Sequence, residues 1–269
     1  MGQGYRCRMR HDGLMLPLYR LYERWLRAQL TAGALPRHVG LVMDGNRRWA
    51  RQMGMHNPSL GHRYGAEHVD EVLGWCRELG IANVTVYIAS VDNLRKRDAT
   101  EVEYLLDVIE SLVIERLARP DSSWQVHPAG RIDVLPDSTA HALKLAEEVT
   151  RDCTTGAHIT MAVGYDGRME IVDALRPLLD DEARSGSTLR EVAARVTDEA
   201  IAARLYTAGR PDPDLIIRTS GEQRLSGFLL WQSAHSELYF CDAYWPGFRR
   251  VDFLRALRDF TRRQRRFGR

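Results

Sequence analysis

Three short polar clusters hold the residue types that could do chemistry. In "MDGNRRWAR", Asp44, Gly45 and Asn46 precede Arg47, Arg48, Trp49 and Arg51. "SVDNLRKR" supplies Ser90, Asp92, Asn93 and Arg97, and "RTSGEQRLSG" supplies Arg218, Glu222, Arg224 and Ser226. Each cluster follows a short apolar segment. Arginine suits bidentate contact with phosphate, and backbone N–H groups at a helix start near Asn46 to Arg48 would surround an anion. An acid at that position can hold a metal ion against a phosphate. The rival reading of the first cluster is plain turn chemistry with an Asp helix cap. Three strand ends with the same composition argue against three unrelated turns.

The elements that must position these clusters follow from periodicity. Residues 39–43, 83–89, 124–128, 157–163, 214–218 and 237–240 read as short apolar strands. Helical patterns fall near 62–79, 99–118, 137–152, 167–184, 197–206 and 250–266. Alternation of strand and helix predicts an α/β fold: one domain with a mostly parallel central sheet covered on both faces. Ligands of such sheets bind beyond the carboxyl ends of the strands, where all three clusters fall.

With 38 basic and 36 acidic side chains in 269 residues, the chain shows no global polyanion-binding signal. Lys96 and Lys144 are the only lysines, so nearly all positive charge is arginine. Cys7, Cys76, Cys153 and Cys241 form no CxxC pair, which argues against zinc and against a disulfide framework, and fits a reducing cytoplasm. No apolar run approaches the roughly 20 residues that cross a bilayer. "LPLYRLYERWLRAQL" predicts an amphipathic helix before the first strand, with Leu18, Leu21, Trp25 and Leu30 as apolar anchors. Packing on its own domain is the expected use of that face, and peripheral contact at the inner face of a membrane is the rival. "FTRRQRRFGR" ends the chain with five arginines in ten residues.

The ordered blocks "MDGNRRWA", "GHRYG", "SVDN", "GYDGRMEIVDA", "DPDLIIRTSGEQRLSGFLLWQSAHSELYF" and "WPGF" span about residues 36–260. Together they resemble the cis-prenyltransferases, the undecaprenyl diphosphate synthase family, and within it the actinobacterial short-chain branch similar to Z-farnesyl diphosphate synthase. The resemblance implies a catalytic domain over 36–269 behind a helical extension at 1–35, an apolar substrate tunnel and usually a homodimer. It also implies Mg2+-dependent condensation of isopentenyl diphosphate with an allylic diphosphate. Asp44 matches the essential aspartate that places Mg2+, and Glu237 matches a second Mg2+ carboxylate. Gly45, Asn46, Arg47 and Arg48 match the phosphate-cradling turn, with Trp49 beginning the helix behind it. His62 matches a histidine near the reacting diphosphates, Ser90 and Asn93 match condensation-site residues, and Arg97 matches a diphosphate-binding arginine. Arg218, Arg224 and Ser226 match the isopentenyl diphosphate site. Arg266 to Gly268, "RFG", resembles an ending that reaches a partner subunit's diphosphate.

The chain departs from the family where Ser90-Val91-Asp92-Asn93 replaces the usual S-[ST]-E-N, and where "MHNPSL" follows Gly54 without the usual arginine. No DDxxD cluster exists, which sets the chain apart from trans-prenyl synthases. In "VYIAS", Ile88 takes the position where long-chain members carry a small residue, so a short Z-product, fifteen carbons, is expected. Long-chain polyprenyl and irregular, lavandulyl-type synthesis are the enzyme alternatives. A catalytically dead partner subunit and a nucleic-acid binder are the alternatives of other classes. Retention of Asp44 and Glu237 speaks against the first, and the lack of an aromatic-rich basic face against the second.

Overall fold

The computed structural model describes residues 12–30, 35–119 and 122–263. Contacts divide the chain into two units, 36–248 and the pair of segments 1–35 and 249–269.

The larger unit is the expected α/β sheet. Its strands are β1 (His38–Val42), β2 (Asn83–Ser90), β3 (Gln125–Ala129), β4 (His158–Tyr165), β5 (Leu215–Arg218) and β6 (Glu237–Phe240), each close to its expected range. They lie in the order β3-β4-β2-β1-β5-β6, and every described pairing is parallel. All five residues of β1 are buried, as a central strand covered on both faces requires. Gly40 is needed there because a Cβ would stand 3.1 Å from the Phe228 ring and from Ile216. β2 steps out of register at Ile88: Tyr87 pairs with Ala162 and Ala89 with Val163, so Ile88 is the extra residue of a β-bulge.

The expected helices form as α3 (Leu60–Glu78), α5 (Ala99–Leu112), which runs into a π-helical turn at Val113–Leu117, α6 (Asp137–Val149), α7 (Gly167–Arg184) and α9 (Asp198–Ala202). Three more appear: α2 (Asn46–Gln52), α4 (Val91–Lys96) and α8 (Leu189–Arg195). The first two are the polar clusters themselves, each only six or seven residues long. Pieces that short carry too few turns for an apolar period to show.

The smaller unit pairs α1 (Asp12–Ala28) with α10 (Arg250–Arg262). The expected anchors of α1 are corrected here. Leu18, Leu21 and Trp25 are 62%, 65% and 50% exposed, whereas Leu26 is fully buried and Tyr19 and Tyr22 meet arginines of the other segment. The inward face is set by these tyrosines and Leu26, not by the leucine and tryptophan stripe. The terminal Arg266 to Gly268 lie outside the described residues. Among those described, no helix is long and apolar enough to cross a membrane.

Candidate active site

From β1 the chain steps to β2 on one side, while β5 and β6 lie on the other, so the sheet's switch point falls between β1 and β5. That is where open parallel sheets bind ligands. A cleft of about 470 Å3 lies there, and all three clusters meet in it. Its walls include Asp44, Gly45, Asn46, Arg47, Arg48, Arg51, His62, Ile88, Ser90, Asn93, Arg97, Arg218, Glu222, Arg224 and Ser226. Six arginines thus face two carboxylates, Asp44 and Glu222.

The turn into α2 is fixed by Gly45, whose φ is +99° and whose added Cβ would lie 2.6 Å from Tyr244 Cδ1. Asp44 is therefore not the helix cap. Gly45 occupies that place, without a side-chain capping bond. The Asp44 main chain is clamped by Thr219, whose Oγ1 donates to the Asp44 carbonyl at 2.8 Å and lies 2.9 Å from its N–H. Its carboxylate accepts from Arg218 Nη2 at 2.9 Å and Arg48 Nη2 at 3.3 Å. Partial burial pushes its pKa up, but the hydrogen bond and charge of Arg218, with Ser220 and Arg48, outweigh that and hold it below the usual carboxylate value.

Gly61 and Gly65, one turn apart in "GHRYG", let α3 close on this turn. A Cβ on Gly61 would lie 2.1 Å from the Asn46 carbonyl oxygen, and one on Gly65 2.3 Å from Asn46 Oδ1. Trp49 does not line the cleft. Its ring lies behind α2, 5.1 Å from that of Tyr64.

His62 is buried on α3, with Nε2 3.6 Å from Glu101 and no hydrogen-bond partner. Burial and then the charge of Arg97 lower its pKa to about 4, so the imidazole is neutral near pH 7. Glu101, which sequence reasoning passed over, accepts from Arg47 at 2.7 Å and Arg97 at 3.1 Å and so holds both guanidinium groups at the rim. Ser90 faces the cleft while its Oγ caps α4, accepting from Asn93 N at 2.9 Å.

On the opposite wall, Arg218 is 4% exposed and donates to Ser226 Oγ at 2.8 Å and to the Arg224 carbonyl. Arg224 pairs with Glu222, which also accepts from Arg48. Ser220, Ser226 and Leu229 are the non-glycine residues with positive φ among those described, and all sit in this one loop. Such strain concentrates at functional sites. Thr219, Ser220 and Tyr87 also belong to the cleft or its clamp, and sequence reasoning missed them. The one signal was "TSG" directly after a strand.

Glu237 is not beside Asp44. It opens β6 opposite Leu215, while Arg218, at the cleft, pairs with Phe240. Three strand residues put it about 10 Å back toward the amino ends. Within one chain this register does not bring Asp44 and Glu237 together. Among the described residues no three His, Cys, Asp or Glu side chains cluster to hold a metal.

Met43, Asn46, His62 and Ile88 line both the cleft and an apolar cavity of about 40 Å3 walled by Val69, Leu105, Ile109 and Leu112. Ala66, Val108 and Leu112 in turn border a space of about 420 Å3 between α3 and α5. Among the described residues these spaces form a neighbouring row rather than one continuous tunnel.

The sequence matches the prenyltransferase family model described as undecaprenyl diphosphate synthase over residues 42–268. The chain belongs to the undecaprenyl diphosphate synthase family, the cis-prenyltransferases. Within this family it is 54% identical to a (2Z,6E)-farnesyl diphosphate synthase of Thermobifida fusca, over 95% of this chain and 98% of that one. It is 62% identical to an isoprenyl transferase of Streptomyces fradiae, over 93% and 97%. Lavandulyl diphosphate synthase from Lavandula x intermedia, solved with dimethylallyl diphosphate, superposes with a TM-score of 0.81 at 30% identity, covering 88% of this chain and all of that one. The prenyltransferase sheet and the arginine-rich cleft at its switch point are thus one arrangement.

Proposed function

We propose that the protein condenses isopentenyl diphosphate with a short allylic diphosphate to give (2Z,6E)-farnesyl diphosphate. The observation that carries this reading is the cleft: six arginines face two carboxylates, and its inner wall gives onto apolar space at Ile88 and His62. Two diphosphates held side by side repel, and charge-assisted contacts from arginine counter that repulsion. Arg218, Arg224 and Ser226 hold isopentenyl diphosphate. Arg47, Arg48 and Arg97, with the Gly45–Asn46 turn, hold the allylic diphosphate. Ser90 and Asn93 orient the reacting ends, and neutral His62 offers an unpaired nitrogen at the boundary between the polar and apolar spaces.

The donor set fits Mg2+, which takes one or two carboxylates together with substrate phosphate oxygens rather than an all-protein cage. Asp44 would hold it, and the ion would stabilise charge on the departing diphosphate. A homodimer in the cytoplasm belongs to the same reading. So does a catalytic domain beginning near residue 36.

Purified protein incubated with labelled isopentenyl diphosphate and, in turn, dimethylallyl, geranyl and farnesyl diphosphates, with and without Mg2+, tests this. A fifteen-carbon dephosphorylated product from geranyl diphosphate supports the proposal. Fifty-carbon chains would assign the long-chain alternative. Product formed from dimethylallyl diphosphate alone would assign irregular coupling, which the structural neighbour's name makes worth measuring.

A further inference from the structure

Charge is segregated in this chain. Residues 1–35 and 249–269 hold 15 arginines against the four acids Asp12, Glu23, Asp252 and Asp259. Of the chain's 38 basic and 36 acidic side chains, 23 and 32 remain in residues 36–248, so a unit of net charge +11 accompanies one of −9. Near-neutral overall composition conceals this.

The basic unit also exposes apolar surface. Leu18, Leu21 and Trp25, spaced i, i+3 and i+7, share one face of α1 and stand half to two-thirds open. Exposed Arg20 and Arg24 flank the stripe on α1. On its other side α10 contributes a row at the same helical spacing: Arg255 donates to the Tyr22 hydroxyl at 3.2 Å, Arg258 lies over the Trp25 ring at 5.9 Å and Arg262 donates to Gln29 at 2.9 Å. Nearby acids are neutralised within the unit, Glu23 by Arg250 at 2.8 Å and Asp252 by Arg255 at 3.0 Å.

We propose that this face of α1, with the α10 arginine row, docks the protein on an anionic lipid surface. An apolar stripe edged by arginine is the pattern of a helix lying in the headgroup plane, with leucine and tryptophan entering the acyl boundary and guanidinium groups meeting lipid phosphate. The charge decides between occupants. A second copy meeting the same face would set Arg20, Arg24 and the α10 arginine row against their own duplicates, and a nucleic acid would leave Leu18 and Leu21 in water. The inference does not depend on which prenyl diphosphate the cleft makes.

Flotation of the full chain with vesicles tests it. The wild type should float with phosphatidylcholine–phosphatidylglycerol vesicles, stay down with phosphatidylcholine alone, and release as salt rises from about 0.1 to about 0.5 M. Leu18→Ser/Leu21→Ser should lower binding at least tenfold with an unchanged melting temperature, since both side chains are already exposed. Arg20→Gln/Arg24→Gln should weaken binding at low salt. Failure of the wild type to float with anionic vesicles, equal binding to neutral ones, or flotation of the leucine variant like wild type overturns the proposal. A concentration-dependent mass in the wild type that the leucine variant abolishes would assign the stripe to a second copy and overturn it equally.

Discussion

Ile88→Ala should lengthen the product. Ile88 is the bulged residue of β2, and the bulge turns its side chain to the boundary shared by the polar cleft and the 40 Å3 apolar cavity. A chain growing from the cleft must displace this β-branched group or be released. Forcing extra methylenes into packed surroundings costs about 1–3 kcal/mol. That corresponds to about 5- to 150-fold in the ratio of release to further elongation. Removing three carbons from Ile88 should erase most of this bias. The assay is thin-layer sizing of dephosphorylated products at fixed substrate ratio, with a thermal melt to confirm that the variant is folded. An unchanged distribution in a folded Ile88→Ala enzyme would show that the stop lies elsewhere, for example at Leu105 or Leu112 deeper in the cavity wall.

Asp44→Asn keeps the shape but removes the charge held between Arg48 and Arg218, so kcat should fall about 100-fold or more, equivalent to about 3 kcal/mol, at saturating Mg2+. Turnover within a few-fold of wild type would remove Asp44 from the chemistry. Gly45→Ala combines a left-handed backbone with a 2.6 Å clash, and should cost about 2 kcal/mol or more in urea unfolding; an unmoved midpoint would show that the turn has another conformation. His127 and His158 lie 3.2 Å apart under Arg210, and burial, then Arg210, lowers the His127 pKa to about 4. Because the unfolded imidazole titrates near 6.5 and the folded one lower, the unfolded state binds more protons between those values. Stability should therefore fall as pH drops from about 6.5 toward 4, and His127→Gln should flatten that slope relative to wild type in melts across the range.

The sheet was legible in the sequence because each strand is an apolar run bounded by a polar cluster. The cleft was legible because those clusters follow strands 1, 2 and 5. What escaped were interactions that depend on long-range register. Nothing near Glu101 in sequence marks it as the acceptor for Arg47, 54 residues away. The family resemblance, and the cost of an acid in an apolar strand, point to Glu237 as a metal carboxylate. Only the pairing of β5 with β6 reveals which end of the sheet it occupies. The α1 stripe was misread for a related reason. Periodicity finds an apolar face, but here tyrosines stacked under arginines supply the inward contact and leave the leucines outside.

The loop after β5 shows why an apolar "GFLLW" sits inside a block otherwise built for diphosphate. Three non-glycine residues at positive φ cost about 1–3 kcal/mol each, and a free loop would relax. Phe228 and Leu229 are fully buried, Phe228 stacked on Tyr87 at 4.9 Å and edge-on to Tyr165 at 6.3 Å. Burial of two such side chains contributes about 1.5–3 kcal/mol each, comparable to the strain but not clearly above it. The balance is tipped one step further along the chain. Gln232 Nε2 donates to buried Glu170 at 3.0 Å and to Thr207 at 2.8 Å, and the Tyr206 N–H donates to the same Glu170 oxygen at 3.0 Å. Tyr165 donates to the other oxygen. Glu170 thereby ties the loop to α7 and β4 at several points, so the loop is over-determined from both its apolar and its polar side. These contacts restrain the loop that carries Ser226, which accepts from Arg218 at 2.8 Å. Preorganised donors of this kind need no rearrangement when a diphosphate arrives.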